Sequence, residues 1–537
     1  MSLEARRRRQ YSSHREPSAM PENMEFSKPA APQMPLHPLP RSVRGSLALS
    51  GLLLLGCGAE GATPPATLSI EQLMDPKSCR ECHSKQYEEW AGSMHAYASE
   101  DPLFVALNQR GQDTAQVGAL CVTCHAPMAV RTGATKNGSN LSALPERLRG
   151  VTCYACHNVT QITNTHNNSL RLGNDSTLRG AFSNAVPNTA HRSSYSPLHD
   201  RTQLESAKLC GSCHDVVNGH GVAIERSFAE WQAGAFATQS GSTCGQCHMP
   251  KSSERGPVAD VLGAPPRDRH SHQFPGVDLA LTDFPHTEEQ RSAVQALLDT
   301  TLQTALCVRG RGNQSSILVV VDNVASGHDW PSGAAQDRRA WFEVAAFAQG
   351  AELYRSGGVA AGSDPEPSQD RDLWLVSNCM LDQTENPVSK LWEASSVDSN
   401  LLPGQLTFDK ASPQYYQTHV SRRFPKDPLT HLKAFPERVT LDVHLQAFPV
   451  ALFDELFESP ERLGLDAAGV AALRAKLVPL SVGSQLIWTA EAAADTAHGG
   501  HMYLDQGIPM SCVSSTGMNA AADKVPAPEH QNAACAN

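Results

Sequence analysis

Cys79-Arg-Glu-Cys82-His83 is the first of five Cys-x-x-Cys-His pentapeptides that lie between residues 79 and 248 of this 537-residue chain. Two thiols one helical turn apart can each add to a vinyl group of haem, and the adjacent imidazole then reaches the iron. The repeat therefore predicts five covalently bound c-type haems. The predicted attachment residues are Cys79, Cys82, Cys121, Cys124, Cys153, Cys156, Cys210, Cys213, Cys244 and Cys247, and the predicted proximal iron ligands are His83, His125, His157, His214 and His248.

Paired cysteines also build tetrahedral zinc sites and disulfide scaffolds. A zinc site of this kind needs its Cys-x-x-Cys units in pairs and has no use for a histidine directly after the second cysteine. Here the number of units is odd and all five carry that histidine. Haem attachment explains the pattern better than either alternative.

The N-terminal sequence predicts export, which haem attachment requires because it takes place outside the cytoplasm. Residues 41–57 combine a basic start, an apolar run and a cysteine after Leu-Leu-Gly, as in a signal peptide. The apolar run is too short to cross a bilayer. We expect residues 1–56 to be a signal peptide with a disordered extension and Cys57 to be the lipidated N-terminus of a bacterial cell-envelope protein, on the periplasmic or outer-surface side. The alternative is an ordinary signal peptide cut nearby, with Cys57 uninvolved.

The overall charge constrains the partners. The chain carries 44 Lys and Arg against 55 Asp and Glu, a net charge of -11, and loss of the basic leader would make it more negative. An acidic surface argues against nucleic acid and attracts basic proteins. The expected partners are redox proteins, among which the charge favours basic ones, and the membrane, through the lipid anchor. The negative charge fits a role in solubility alone equally well.

Changes in composition divide the mature chain. Residues 57–78 look like a lipid-anchored tether. Residues 79–310 hold all five motifs and few long apolar runs, so the haems are expected to supply much of the core of a mainly helical, loop-rich domain. A helix is predicted over residues 287–308, where Val294, Leu298, Leu302 and Leu306 follow a helical period.

The remainder has the pattern of strands. Residues 316–321 and 341–347 form apolar runs, and residues 439–446 alternate strictly between apolar and polar. We predict an α+β protein in which a haem-packed domain precedes a β-sandwich-like domain at 311–450. Residues 451–512 are expected to be helical and 513–537 disordered. In an oxidising compartment Cys379 and Cys512 are candidates for a disulfide, with Cys307 and Cys535 as rival partners.

The sixth ligand of each iron comes from a larger set of histidines. The candidates are His95, His166, His191, His199, His220, His270, His272, His286 and His328. An internal repeat favours His95, because residues 87–96 align with residues 228–237 and only the first copy has a histidine where the second has Phe236.

Several motifs resemble a known group of proteins. These are Glu89-Trp90-x-x-Ser93-x-His95, Leu209-Cys-Gly-Ser-Cys-His214-Asp, Cys247-His248-Met249-Pro250 and Gly327-His328-x-x-Pro331-Ser-Gly333. They look like the multihaem cytochromes c related to the tetrahaem nitrification cytochrome and hydroxylamine oxidoreductase. By match, the resemblance implies distal ligands at His95, at His191 or His199, at His270 or His272, and at His328. His166 and His220 remain for the fifth iron, and neither has a clear motif.

The expected function depends on whether any iron keeps an open position. A haem with two histidine ligands can only pass electrons, whereas an open iron can bind and transform a small molecule. The resembling proteins include carriers and enzymes, so the resemblance does not choose between them. We expect a carrier that passes electrons between redox partners. The alternatives are an oxidoreductase acting on a small nitrogen or sulfur compound at one open haem, and a binding module whose C-terminal domain grips a partner.

Overall fold

The computed structural model describes residues 68–515 and 517–535. The predicted signal peptide, Cys57 and residues 57–67 of the tether lie outside the described residues. The rest of the predicted tether, residues 68–78, is folded: it contains helical turns and the Leu73 side chain is 2% exposed, so the expectation of a tether is wrong there. Within that part of the chain, no helix has both the length and the apolar character needed to cross a membrane.

Residues 68–286, here called the motif region, consist of short helices joined by long loops. The helices are α1 (Ile70–Met74), α2 (Pro76–Arg80), α3 (Ser84–Ala91), α4 (Met94–Tyr97), α5 (Pro102–Ala115), α6 (Val122–His125), α7 (Pro127–Arg131), α8 (Cys153–His157), α9 (Glu205–His214), α10 (Ser227–Ala233) and α11 (Cys244–His248). Local signals set their ends. Helix α5, for example, starts where the Asp101 carboxylate accepts from the Leu103 amide at 3.0 Å, and ends at Gln116 with φ 49°.

Three two-stranded ribbons complete the motif region. The strands are β1 (Val159–Ile162), β2 (Leu170–Leu172), β3 (Thr177–Gly180), β4 (Arg192–Tyr195), β5 (Asp215–Val217) and β6 (Ala223–Arg226). β1 with β2 and β5 with β6 are antiparallel, whereas β3 with β4 is parallel. One apolar cluster of this region has eleven buried residues, among them Phe104 and Tyr154, and the others are smaller, such as that of Ala207, Phe228 and Trp231.

Residues 287–535, here called the sheet region, begin with one long helix and continue mainly as strands. The helices are α12 (Thr287–Thr301), α13 (Val450–Leu456), α14 (Ala467–Arg474) and α15 (Ala490–Ala494). The strands are β7 (Leu302–Arg309), β8 (Ser316–Asn323), β9 (Arg339–Ala348), β10 (Ala351–Ser356), β11 (Trp374–Val376), β12 (Asn378–Leu381), β13 (Pro387–Val388), β14 (Ser396–Ser399), β15 (His419–Phe424), β16 (Arg438–Gln446), β17 (Leu480–Ser481), β18 (Leu486–Thr489), β19 (Gly500–Asp505), β20 (Ile508–Ser514) and β21 (Val525–Pro526).

Two six-stranded sheets share one apolar core. One has the order β10-β9-β16-β17, with β11 also on β9 and β18 also on β16; the other has the order β19-β20-β7-β8-β15-β21. Phe342 and Leu441 of the first sheet and Ile317 and Val319 of the second belong to the same buried cluster. The α+β class is confirmed, and so are the strands predicted at 316–321, 341–347 and 439–446.

The helix predicted over 287–308 is too long by seven residues. Helix α12 ends at Thr301, and Leu302–Arg309 instead forms β7, which pairs in register with β8. Leu302 and Leu306 are four positions apart, and that even spacing puts two residues on one face of a strand as well as of a helix. Pairing with β8 makes residues 302–309 a strand and not a continuation of the helix.

The C-terminal expectations also need correction. Residues 451–512 contain strands as well as helices, because β18, β19 and β20 complete the two large sheets. The segment after residue 517 is held in place: β21 pairs with β15, and the Lys426 ammonium binds the Glu529 carboxylate at 2.8 Å. Long-range pairing orders a tail whose own composition predicts disorder.

The disulfides join Cys307 to Cys512 and Cys379 to Cys535. The predicted bond between Cys379 and Cys512 is therefore wrong, and the two rival cysteines are the true partners. Cys307 and Cys512 lie directly opposite each other on β7 and β20, a register that the sequence does not reveal.

The two regions touch through polar contacts. The Arg338 guanidinium donates to both carboxylate oxygens of Asp278 at 2.6 and 2.7 Å, and the Gln290 side chain donates to the Gly92 carbonyl oxygen at 3.0 Å. Asp278 and Gly92 belong to the motif region. These contacts fix the sheet region against the part of the chain that carries the motifs.

Candidate haem-binding site

Each motif lies on a single helical turn. The third and fifth motifs are the whole of α8 and α11. In the first, the His83 amide donates to the Cys79 carbonyl oxygen at 2.7 Å, and the same bond joins His125 to Cys121 at 3.2 Å. This turn brings the two thiols and the imidazole of a motif to one side, as attachment to one porphyrin edge requires.

The ten motif cysteines are free, while the other four cysteines of the described residues form disulfides. The free thiol sulfurs stand for the thioether sulfurs of the mature protein. In an oxidising compartment, thiols that form no disulfide are available for another covalent bond.

Four of the five motif histidines have one ring nitrogen fixed by a backbone carbonyl. A carbonyl oxygen only accepts, so in each case Nδ1 carries the proton and Nε2 keeps a free lone pair. The Nδ1 bonds are His83 to Val258 at 2.6 Å, His125 to Ala98 at 3.0 Å, His157 to Arg179 at 2.6 Å and His248 to Pro275 at 2.7 Å. Among the described residues, His214 has no such bond. Metal-bound histidines are usually oriented in this way.

Three motif histidines face a second imidazole. The ring centroids are 6.3 Å apart for His83 and His191, 6.2 Å for His214 and His95, and 6.4 Å for His157 and His272. A metal–imidazole bond is about 2 Å long, so two axial imidazoles on one iron have ring centres about 6 Å apart. All three pairs have the spacing that a shared iron needs.

His199 also lies near His157, with ring centroids 5.5 Å apart. Its Nε2 donates to the Cys156 carbonyl oxygen at 2.9 Å, and its Nδ1, like that of His272, is buried without a hydrogen-bond partner. Because Nε2 of His199 is already engaged, we favour His272 opposite His157, and His191 fits His83. His270 stacks on His272 at 5.3 Å and forms no ring contact with a motif histidine in the described part of the chain.

Burial keeps the facing imidazoles neutral, which is the form that binds a metal. Desolvation and neighbouring histidines lower the pKa of His95 to about 3, that of His272 to about 3 and that of His214 to about 4. His214 is nevertheless exposed by surface area. The lowered pKa of His214 and its exposed surface are both explained if the ring faces a cleft inside the fold. The residues therefore fit covalent haem.

His328 lies in the loop between β8 and β9, where the sequence analysis expected it. Burial, followed by the proximity of His248 and His214, lowers its pKa to about 4. Its Nδ1 donates to the Asp329 carbonyl oxygen at 2.9 Å, which leaves Nε2 free. Gly404 packs so closely that a Cβ there would come within 2.9 Å of the His328 carbonyl oxygen. The loop thus holds the ring on the side of the motif region.

His125 differs from the other motif histidines. Its ring stacks on Phe104 with centroids 3.9 Å apart and planes 6° apart. Within the described residues it shares with His248 the lack of a ring contact with another imidazole, but His248 lies close enough to His328 to lower the pKa of that histidine. Of the two candidates for the fifth iron, His166 is engaged through Nε2 with the Asn164 side chain at 2.8 Å, and His220 is exposed. The structure brings neither of them to His125.

The motif cysteines show which motifs are neighbours. Thiols of different motifs interact directly in three pairs: Cys79 with Cys153, Cys124 with Cys213, and Cys210 with Cys244. Cys156 also lies close enough to Cys213 and Cys210 for their charges to raise its pKa. The first motif therefore adjoins the third, and the fourth adjoins the second, third and fifth.

The comparisons with known proteins agree with this site. Residues 78–158 match the family described as Cytochrome c554 and c-prime. The chain is also similar to the crystal structure of a penta-heme cytochrome c552 from Thermochromatium tepidum, with 18% identity and a TM-score of 0.52 over 79% of this chain and 100% of that one. These findings support a multihaem cytochrome c. At this identity the structural match concerns the fold, and the sequence matches none of the curated proteins.

Sequence reasoning missed the backbone groups that orient the motif histidines. The carbonyl acceptors Val258, Arg179 and Pro275 are backbone atoms of loops, and no residue type marks them. The kinship with hydroxylamine oxidoreductase stays a prediction, because neither match concerns it.

Proposed function

We propose that this protein is an exported pentahaem c-type cytochrome that passes electrons between redox partners in the bacterial cell envelope. The observation that carries the proposal is the spacing of about 6 Å between paired imidazoles, since an iron with two histidine ligands passes electrons without binding a substrate. Five Cys-x-x-Cys-His motifs, each on one helical turn, support the number five. The bound haems supply one-electron redox chemistry.

The protein's own residues hold the ligands in place. We assign His191 to the iron of His83, His95 to that of His214, and His272 to that of His157. We assign His328 to the iron of His248, because of the two motif histidines that lower the pKa of His328, His248 has the larger effect. Backbone carbonyls orient the proximal rings.

The adjacency of the motifs supports a branched path for electrons. The fourth motif has three neighbours and is the centre, and the first motif is reached through the third. Cys247 of the fifth motif is exposed, which suits an end where electrons enter or leave. Lipidation at Cys57, a cell-envelope location and a basic protein partner complete the proposal, and they rest on the leader sequence and the net charge of -11.

A redox titration of the holoprotein tests the proposal. The protein should take up five electrons and return them to a basic acceptor protein, at a rate that falls as salt screens the attraction. Electron paramagnetic resonance of the oxidised protein should show low-spin iron, and His272→Ala should add one high-spin iron. His199→Ala is the matched control and should add none. Fewer than five electrons, or a high-spin signal in His199→Ala and not in His272→Ala, would contradict the assignment.

A second function has one observation in its favour. His125 stacks on Phe104 and faces no second imidazole among the described residues, so its iron is the candidate for an open position. An oxidoreductase would show turnover of a small nitrogen or sulfur compound and a high-spin signal that the compound changes. A carrier would exchange electrons at full rate without turnover of hydroxylamine, nitrite or sulfite.

A further inference from the structure

A group of metal-ligating side chains lies outside the motif region. Asp398, His530 and Cys535 place a carboxylate oxygen, a ring nitrogen and a sulfur within 4.8 Å of one another. Asp398 is on β14, directly opposite Cys379 on β12, and Cys379 is disulfide-bonded to Cys535. One sulfur of this disulfide therefore belongs to the group, and the other is bonded to it.

The contacts of His530 are not those of a simple ion pair. Its Nδ1 lies 3.7 Å from Asp398 Oδ2, which is beyond hydrogen-bonding distance, and that oxygen accepts from the Asn532 amide at 2.7 Å. The His530 side chain is only 7% exposed, and Nδ1 has no hydrogen-bond partner. A buried ring nitrogen without a partner costs free energy, which a bound cation would recover.

We propose that the Cys379–Cys535 disulfide masks a zinc site whose ligands are Asp398, His530, Cys535 and Cys379. In the oxidised protein neither sulfur is a thiolate, so the site cannot bind metal. A dithiol reductant donates two electrons and two protons: the S–S bond breaks, two thiols form, and the dithiol closes to a cyclic disulfide. Zn²⁺ then binds both sulfurs as thiolates and releases the two protons.

The donor set selects the metal. Two thiolates, one imidazole and one carboxylate are ligands that zinc accepts in a tetrahedral arrangement, and thiolates disfavour magnesium and calcium. Cys379 is the fourth ligand because it is disulfide-bonded to Cys535 and its strand position is directly opposite Asp398. The metal would replace the disulfide as the link between the C-terminal tail and β12.

The Cys307–Cys512 disulfide lies in a different, apolar environment. Cys307 and Cys512 are 0% and 2% exposed in an apolar cluster with Ala305, Val320 and Met510. The described residues hold no cluster of three metal-ligating side chains there, although His501 lies opposite Cys512 on the neighbouring strand. The proposal therefore assigns the reversible chemistry to Cys379 and Cys535 and leaves the other disulfide structural.

Zinc binding to the full-length holoprotein tests the site. Protein treated with a dithiol and freed of it without oxygen is equilibrated with Zn²⁺, desalted and measured by mass spectrometry for metal. We expect one zinc per chain after reduction and none in the untreated protein. Bound zinc should protect Cys379 and Cys535 from alkylation, as peptide mapping would show.

Matched variants locate the ligands. His530→Ala and Asp398→Asn should each weaken zinc binding roughly tenfold or more. His498→Ala should leave it unchanged, because His498 pairs with Asp495 at 2.8 Å on an 83% exposed side chain without a cysteine beside it. Formation of the Cys379–Cys535 disulfide in His530→Ala before reduction would show that the tail still folds. The proposal is overturned if the reduced protein binds no zinc, or if His530→Ala binds it as tightly as the unaltered protein.

Discussion

The motif region encloses imidazole rings and thiols, whereas the sheet region encloses aliphatic and aromatic side chains. In the first, helices of mostly four to ten residues surround histidines whose ring nitrogens are fixed by carbonyls or left without a partner. In the second, two six-stranded sheets share one apolar cluster. Apolar burial stabilises the second region by itself. The first depends on the group that its thiols and imidazoles bind.

The largest expected effect comes from withholding haem. The full chain, produced without haem attachment, should lose protection from proteases in most of residues 79–286 and keep it in the strands of the two large sheets, because the main apolar cluster of the first region has eleven buried residues and that of the second has twenty-nine. Limited proteolysis with peptide mapping measures this. Equal protection of both regions would show that the motif region folds without its cofactor.

A substitution in the apolar core should destabilise the sheet region and leave the motif region unaffected. Phe342 is 0% exposed and stacks on Trp374 with ring centroids 4.0 Å apart. Phe342→Ala should lower the free energy of unfolding of the sheet region by about 3–5 kcal/mol and leave the haem absorption spectrum unchanged. Denaturant unfolding followed by circular dichroism measures the loss. Phe408→Ala, at a ring that is 41% exposed, is the control and should cost far less; a changed haem spectrum in Phe342→Ala would mean that the regions are not independent.

The smallest effect concerns pH. A hydrogen bond from His444 and the nearby Arg355 guanidinium lower the pKa of Glu343. A carboxylate with a lowered pKa stabilises the fold above its unfolded pKa, near 4.3, and this contribution disappears as the pH falls through the lowered value. Glu343→Gln should therefore lose stability of up to about 1 kcal/mol at neutral pH and none well below pH 4.

Thermal unfolding of the Glu343→Gln variant at several pH values measures this difference. Glu352→Gln serves as the control, because Glu352 binds the same Arg355 at 2.8 Å on a more exposed side chain. If the variant lost the same stability at every pH, the charge of Glu343 would not explain the loss.

Much of the fold and the site follows from local patterns. The five motifs predict their own helical turns, because a Cys-x-x-Cys-His unit is complete within one turn. The alternation over residues 439–446 predicts β16, since period two puts one face into a core. His328 was correctly expected in a loop, from the surrounding Gly327, Pro331 and Gly333. The predicted helix over residues 287–308 is wrong from Leu302 onward, because a spacing of four residues fits a strand as well as a helix.

By itself, the sequence determined the haem motifs, the α+β class and three strands of the two large sheets, β8, β9 and β16, because each of these is encoded by residues that are neighbours along the chain. The tertiary structure alone decided which imidazole faces which motif histidine, which motifs adjoin one another, and that Cys379 pairs with Cys535. These are contacts between residues far apart in the chain. Their geometry depends on the conformation of every intervening loop, which no short sequence pattern predicts.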